Sequence, residues 1–269
     1  MGMIDIKHKK RIVIKLGTST LTHRTGRLNI RRVENLVKVI ADLKNAGKEI
    51  VIVSSGAVAL GVGKLGLLER PKDTCMKQAA AAVGQCEMMY LYDNLFDNYG
   101  ITVAQFLLTK TIIERPNHTK NIENAFRKVI EMGVVPIVNE NDTVAIDELE
   151  LEIGENDSLS AIVAGLCKAD LLVILSDIDG LYSADPHKSN NAELIPIVTE
   201  INDDIESIAG GAGTALGKGG MATKINAGKI ATEAGIDMVI MNGNNPDNLY
   251  KLFDNEPVGT IFVAKGKKI

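Results

Sequence analysis

Short runs of Val, Ile and Leu recur along the chain, separated by longer stretches in which apolar residues stand three and four apart. The runs at 11–16 (RIVIKL), 49–54 (EIVIVS), 101–106 (ITVAQF), 134–139 (VVPIVN), 170–175 (DLLVIL) and 236–241 (IDMVIM) read as buried strands. Between them, segments at about 30–46, 74–98, 119–132, 157–168 and 220–234 read as helices. Strand alternating with helix predicts an α/β fold, a mostly parallel sheet covered on both faces.

Two places break the alternation. Residues 143–153 (TVAIDELELEI) alternate apolar and polar around Asp147-Glu148, which predicts an antiparallel hairpin projecting from the sheet. Residues 202–219 are glycine-rich and weakly periodic, and read as a mobile loop with one short helix. Neither a low-complexity linker nor an internal repeat divides the chain, so one domain over residues 1–269 is expected, with the nucleotide in its C-terminal part.

Ligands of open α/β sheets bind beyond the carboxyl ends of the strands. Four predicted strands end in polar or glycine residues: Lys15-Leu16-Gly17-Thr18-Ser19, Ser54-Ser55-Gly56-Ala57, Asn139-Glu140-Asn141-Asp142 and Ser176-Asp177. One such end means little, but four on one edge of a sheet point to a site.

Composition narrows the function classes. The 269 residues are 45% hydrophobic and 24% charged, with net charge −4, so no basic stripe announces a nucleic-acid partner. Lys7, Lys9, Lys10 and Arg11 read as a solvated arm before the first strand. Cys75, Cys86 and Cys167 contain no CxxC pair and signal neither a disulfide framework nor a zinc site. With no signal-peptide pattern and no apolar run near the roughly 18 residues of a membrane span, the expectation is a soluble, cytoplasmic protein without a membrane partner.

Two glycine motifs mislead. Gly61-Val-Gly-Lys-Leu-Gly66 has dinucleotide-fingerprint spacing, but it comes a helical turn or two after Ser54 closes its strand and better ends the intervening helix. Gly217-Lys218 is followed by Gly219 rather than Ser or Thr, so it is no P-loop.

The chemistry-bearing residues are few. Lys15 sits inside an apolar strand, where an ammonium must find an anion, either a protein carboxylate or a phosphate. Ser55 is suited to cap the following helix or to bind a substrate anion at its start. Asn139 to Asp142 and Gly154-Glu155-Asn156-Asp157 are turn-forming clusters that, brought together by the hairpin, would grip an amino acid by its ammonium and carboxylate ends. Asp157 also opens a helix. Ser176 and Asp177 begin a polar loop running to Tyr182 and Asp185 that could line a nucleotide pocket. The stretch Lys218-Gly219-Gly220-Met221-Ala222-Thr223-Lys224 places glycines and Thr223 at a helix start with Lys224 one turn in, an arrangement that attracts phosphate.

Taken in order, IVIKLGTS, SSGAVALG, QAAAAVGQ, NENDTV, GENDSLSA, SDIDGLYSADP and GKGGMATK resemble the amino acid kinase family over essentially the whole chain, and within it the branch that phosphorylates L-glutamate. The resemblance implies a three-layer αβα sandwich, transfer of the γ-phosphoryl of ATP to the glutamate side chain as the first step of proline synthesis, and Mg²⁺ as cofactor. It implies that Lys15 and Lys224 contact the transferring group and ATP while Asp157 orients them. Ser55, Asp142 and Asn156 would bind glutamate, and Ser176, Asp177 and residues 218–224 would hold ATP. Assembly as a homo-oligomer and feedback inhibition by proline, with the 143–153 hairpin as its place, are further implications. Glu155 departs from the pattern, standing where Asp is expected. Many members continue into an RNA-binding-like C-terminal domain, for which this chain has no room after GTIFVAKGKKI.

The acceptor carboxylate, with a reference pKa of about 4.3, needs no general base. Its obstacle is repulsion from phosphate, about 4 kcal/mol for two unit charges at about 4 Å and an effective dielectric of 20. Lysines, backbone donors and Mg²⁺ offset that, the ion being held largely by substrate phosphates rather than by a protein cage. A kinase for N-acetylglutamate, aspartate, carbamate or a nucleoside monophosphate would share the fold. A metabolite sensor on the same scaffold would not need both lysines, and an NAD-dependent oxidoreductase would rest on GVGKLG alone.

Overall fold

The structure is a computed structural model that describes residues 4–23, 27–109, 115–145, 156–186, 189, 191–209 and 220–267. Among these, eight strands form one sheet in the order β3-β4-β2-β1-β5-β7-β8-β6. They are β1 (Arg11–Leu16), β2 (Glu49–Ser54), β3 (Val103–Leu108), β4 (Val135–Glu140), β5 (Leu171–Ser176), β6 (Ile197–Val198), β7 (Asp237–Asn242) and β8 (Thr260–Phe262). All neighbours pair in parallel except β7 and β8.

The first two strands start and stop where the hydrophobic runs do. The next strand begins two residues later than expected, at Val103, and β4, β5 and β7 begin one residue later. In β4, β5 and β7 the polar residue that follows the run is still paired in the ladder, Glu140 with Leu108 and Ser176 with Asn242. Apolarity marks burial, whereas pairing continues as long as a partner strand is alongside.

The helices are α1 (Thr18–Leu21), α2 (Ile30–Asn45), α3 (Ala57–Leu65), α4 (Thr74–Asp97), α5 (Pro116–Glu131), α6 (Asp157–Leu166), α7 (Asp203–Ala209), α8 (Met221–Glu233) and α9 (Asn248–Phe253). They form two layers. Ile12, Ile14 and Leu16 of β1 pack with α2, α3, α4 and α9. Val13 of the same strand packs with α5, α6 and α8 on the other side. β2, β5 and β7 alternate in the same way, as the two-residue period of a strand requires. The result is the three-layer αβα sandwich.

The Gly61 to Gly66 motif is helix packing, not nucleotide binding. A Cβ on Gly61 would lie 1.8 Å from the Ala80 carbonyl oxygen, and one on Gly84 1.7 Å from that of Ala57. The backbones of α3 and α4 therefore meet almost in contact. Gly66 ends α3 in the left-handed conformation, φ 67°.

The expected hairpin lies outside the described residues from 146 onward, as do residues 210–219 of the glycine-rich loop; its short helix is α7. No described helix is long and apolar enough to cross a membrane.

Candidate active site

The four polar strand ends belong to β4, β2, β1 and β5, which are neighbours in the sheet. Parallel pairing puts their carboxyl ends on one edge. A cleft of about 770 Å³ opens there, lined among others by Lys15, Ser55, Asp142, Asn156, Ser176, Asp177 and Lys224.

Beneath it lies Asp157, fully buried at the first turn of α6. Its Oδ1 is 2.8 Å from Lys15 Nζ, and its Oδ2 is 3.2 Å from Lys224 Nζ. Thr223 Oγ1 donates to the same Oδ2 at 2.8 Å. The strand period turns Lys15 to the Val13 side, toward α6 and α8, while Lys224 lies one turn into α8. Burial alone would raise the Asp157 carboxyl; the charges of Lys15 and Lys224, with hydrogen bonds from Lys15 and Thr223, overcome it and hold the pKa below its ordinary value. Lys15 is thus ion-paired to a protein carboxylate, and it also lines the cleft.

Ser55 corrects an expectation. It does not cap α3: the cap is Gly56, in the left-handed region at φ 109°, and no side chain bonds the helix start. Ser55 Oγ is buried without a hydrogen-bond partner among the described residues, and the residue lines the cleft. A buried hydroxyl left unpaired loses free energy that a ligand can restore.

Asn156 sits at the start of α6, and its side chain does not cap that helix either. Its Nδ2 donates to Ser54 O at 3.2 Å and to Asn139 Oδ1 at 2.6 Å. Asn139 Nδ2 in turn donates to Gln85 Oε1 at 2.9 Å. Both amide hydrogens of Asn156 are thereby used, and its amide oxygen remains as acceptor. Asp142, half-buried after β4, also lines the cleft.

At the β5 end, Ser176 Oγ donates to Asp177 Oδ1 at 3.2 Å, and Asp177 is exposed. Gly220 precedes α8, Met221 and Thr223 are partly buried and Ala222 is exposed; Lys218, Gly219 and Glu155 lie outside the described residues. Thr223 Oγ1 also lies 2.9 Å from Gly220 O, the alternative acceptor for its one proton.

Arg70, Lys72 and Lys77 also line the cleft and were not singled out from the sequence. The lining holds five cations (these three with Lys15 and Lys224) against Glu140, Asp142 and Asp177, in a chain of net charge −4. For Lys77 a signal existed: it falls on the buried stripe of α4 with Ala80, Ala81, Gly84 and Met88, where the helical period calls for an apolar residue.

The model of the amino acid kinase family matches residues 10–242. A glutamate 5-kinase of Clostridium perfringens is 50% identical to this chain over 97% of both. Another, of Carboxydothermus hydrogenoformans, is 52% identical over 98% of this chain and 70% of its own length. Among solved structures, the UMP kinase of Bacillus anthracis superposes with a TM-score of 0.64 at 16% identity, covering 96% of this chain and 97% of its own, a likeness of fold alone. On the family match and the half-identical relatives together, the chain belongs to the amino acid kinase family.

Proposed function

We propose that this protein transfers the γ-phosphoryl group of ATP to the side-chain carboxylate of L-glutamate, forming γ-glutamyl phosphate for proline synthesis. The observation that carries the chemistry is the buried Asp157 holding two cleft-lining lysines. Half-identical relatives named glutamate 5-kinase support the choice of acceptor.

In this reading Lys15 and Lys224 flank the transferring group. Their charge is present before the reaction and needs no rearrangement as negative charge spreads over the phosphoryl oxygens. Asp157 positions both ammoniums at the cleft. Glutamate lies over β2 and β4. The Asn156 amide oxygen and the Asp142 carboxylate accept from its ammonium group, and Ser55 Oγ bonds a carboxylate. ATP lies over β5, with Ser176, Asp177 and residues 218–224 around it. The chain acts as one kinase domain, residues 1–269, its N-terminal part facing glutamate and its C-terminal part ATP.

Among the described residues no three His, Cys, Asp or Glu side chains gather as a metal-binding group, but the lining carboxylates are hard oxygen donors of the kind Mg²⁺ takes. An ion carried by the ATP phosphates fits that donor set, with Asp177 the protein carboxylate on the donor side. Bound there, it would neutralise phosphate charge.

The test is ATP consumption with Mg²⁺ and hydroxylamine, which traps an acyl phosphate as a hydroxamate. L-Glutamate, N-acetylglutamate, aspartate and UMP are compared. Hydroxamate with L-glutamate alone is expected; hydroxamate with another carboxylate, or ADP formation with UMP, would replace the acceptor.

A further inference from the structure

We infer that Lys77 is the residue that reads the α-carboxylate of the acceptor, and so sets the preference for an α-amino acid over an acceptor that lacks that carboxylate. This rests on the reading above. Lys77 is 9% exposed and lines the cleft from the fourth residue of α4. Helix α4 packs in the layer with α2 and α3, on the opposite side of the sheet from α6 and α8. The cleft thus receives a lysine from each layer: Lys15 from the sheet, Lys224 from α8 and Lys77 from α4.

The two sides differ in what accompanies the lysine. Lys224 comes with Asp157, Thr223 and the β5 end, where the phosphates are placed. Lys77 comes from α4, whose Gln85 accepts from Asn139 at the β4 end, on the acceptor side. The Gly61–Ala80 and Ala57–Gly84 contacts lock α4 antiparallel onto α3, so Lys77, two turns before Gly84, is held beside the later part of α3. Glutamate carries two carboxylates. The reacting one must lie between Lys15 and Lys224, so the other extends away from them, toward this third cation. Arg70 and Lys72 also border the cleft but are exposed. Solvent and salt screen them more than a buried ammonium.

The test compares L-glutamate with 4-aminobutyrate, which keeps the reacting carboxylate and the ammonium and lacks only the α-carboxylate. Hydroxamate formation is measured in wild type and in Lys77→Met and Lys77→Gln. Each variant's fold is checked by circular dichroism and by its ATP affinity. In wild type, glutamate is expected to exceed 4-aminobutyrate in kcat/KM. In both variants, the glutamate KM should rise about 10- to 100-fold, as for a lost charge-assisted bond, with the ATP KM within about twofold. The preference over 4-aminobutyrate should shrink by the same factor. Equal losses for both acceptors, or a parallel rise in the ATP KM, would overturn the assignment while wild-type turnover still stood. Absence of hydroxamate from glutamate in wild type would instead remove the parent reading, and this one with it.

Discussion

Two aspartates of this chain each bridge two lysines, at opposite edges of the same sheet. Asp157 holds Lys15 and Lys224 near the carboxyl ends of the strands. Asp237, the first residue of β7, holds Lys9 and Lys267 at the other edge. Both carboxyls are almost fully buried. Burial raises each, and the lysine contacts outweigh it, so both stay below their ordinary value.

What differs is the direction of the ammoniums. Asp237 Oδ1 accepts from Ala264 N at 2.8 Å and its Oδ2 from both lysines, joining the N-terminal arm, β7 and the C-terminal tail. Lys9 and Lys267 are 14% and 47% exposed and neither lines the cleft. Lys15 and Lys224 are only 2% and 7% exposed, yet both do. A buried charge cluster stabilises a fold no better than well-packed apolar residues would. The same ion-pair chemistry therefore joins chain segments as a staple in one place and holds cations at the cleft in the other.

The largest expected effect is on turnover. Lys15→Met and Lys224→Met should each lower kcat about 100- to 1,000-fold, the loss typical of one preorganised charge-stabilising donor, with the far-ultraviolet circular dichroism unchanged. Lys9→Met should leave kcat within about twofold, and a comparable loss there would erase the contrast.

Asp237→Asn should do the reverse, holding kcat while lowering stability to urea by about 2–3 kcal/mol. That is below the cost of breaking a wholly buried pair because Lys267 is half-exposed. A urea midpoint equal to wild type would show that the staple holds nothing.

The acid limb of stability sharpens the same point. A carboxyl held below its ordinary value of 3.8 stabilises the fold fully above that pH, and the contribution is lost as pH falls through the lowered value. Wild type should therefore show little change from neutrality to about pH 4 attributable to these two groups, and lose their contribution below it. Asp237→Asn should flatten that fall in urea titrations run at successive pH values, and an unchanged slope would assign the acid sensitivity elsewhere. The smallest effect is expected for Lys267→Met, under about 1 kcal/mol, since Lys9 remains on the carboxylate and Lys267 is screened by solvent.

The sequence by itself determined six of the eight described strands (not the short β6 and β8), most of the helices and the edge of the sheet that carries polar residues. These follow from local periods: alternation within a strand and the helical stripe depend on neighbours a few residues away, and parallel strands carry their chemistry on one edge. Family motifs added Asp157, Lys15 and Lys224 as a set. Only the tertiary structure decided that β4, β2, β1 and β5 are adjacent, that Asp157 lies between its two lysines, and that Ser55 faces the cleft instead of capping α3. It also brought Lys77 to the cleft and made a staple of Asp237, whose partners stand at opposite ends of the chain. Contacts between distant segments depend on strand order and on how two helical layers stack across the sheet, and no local period encodes either.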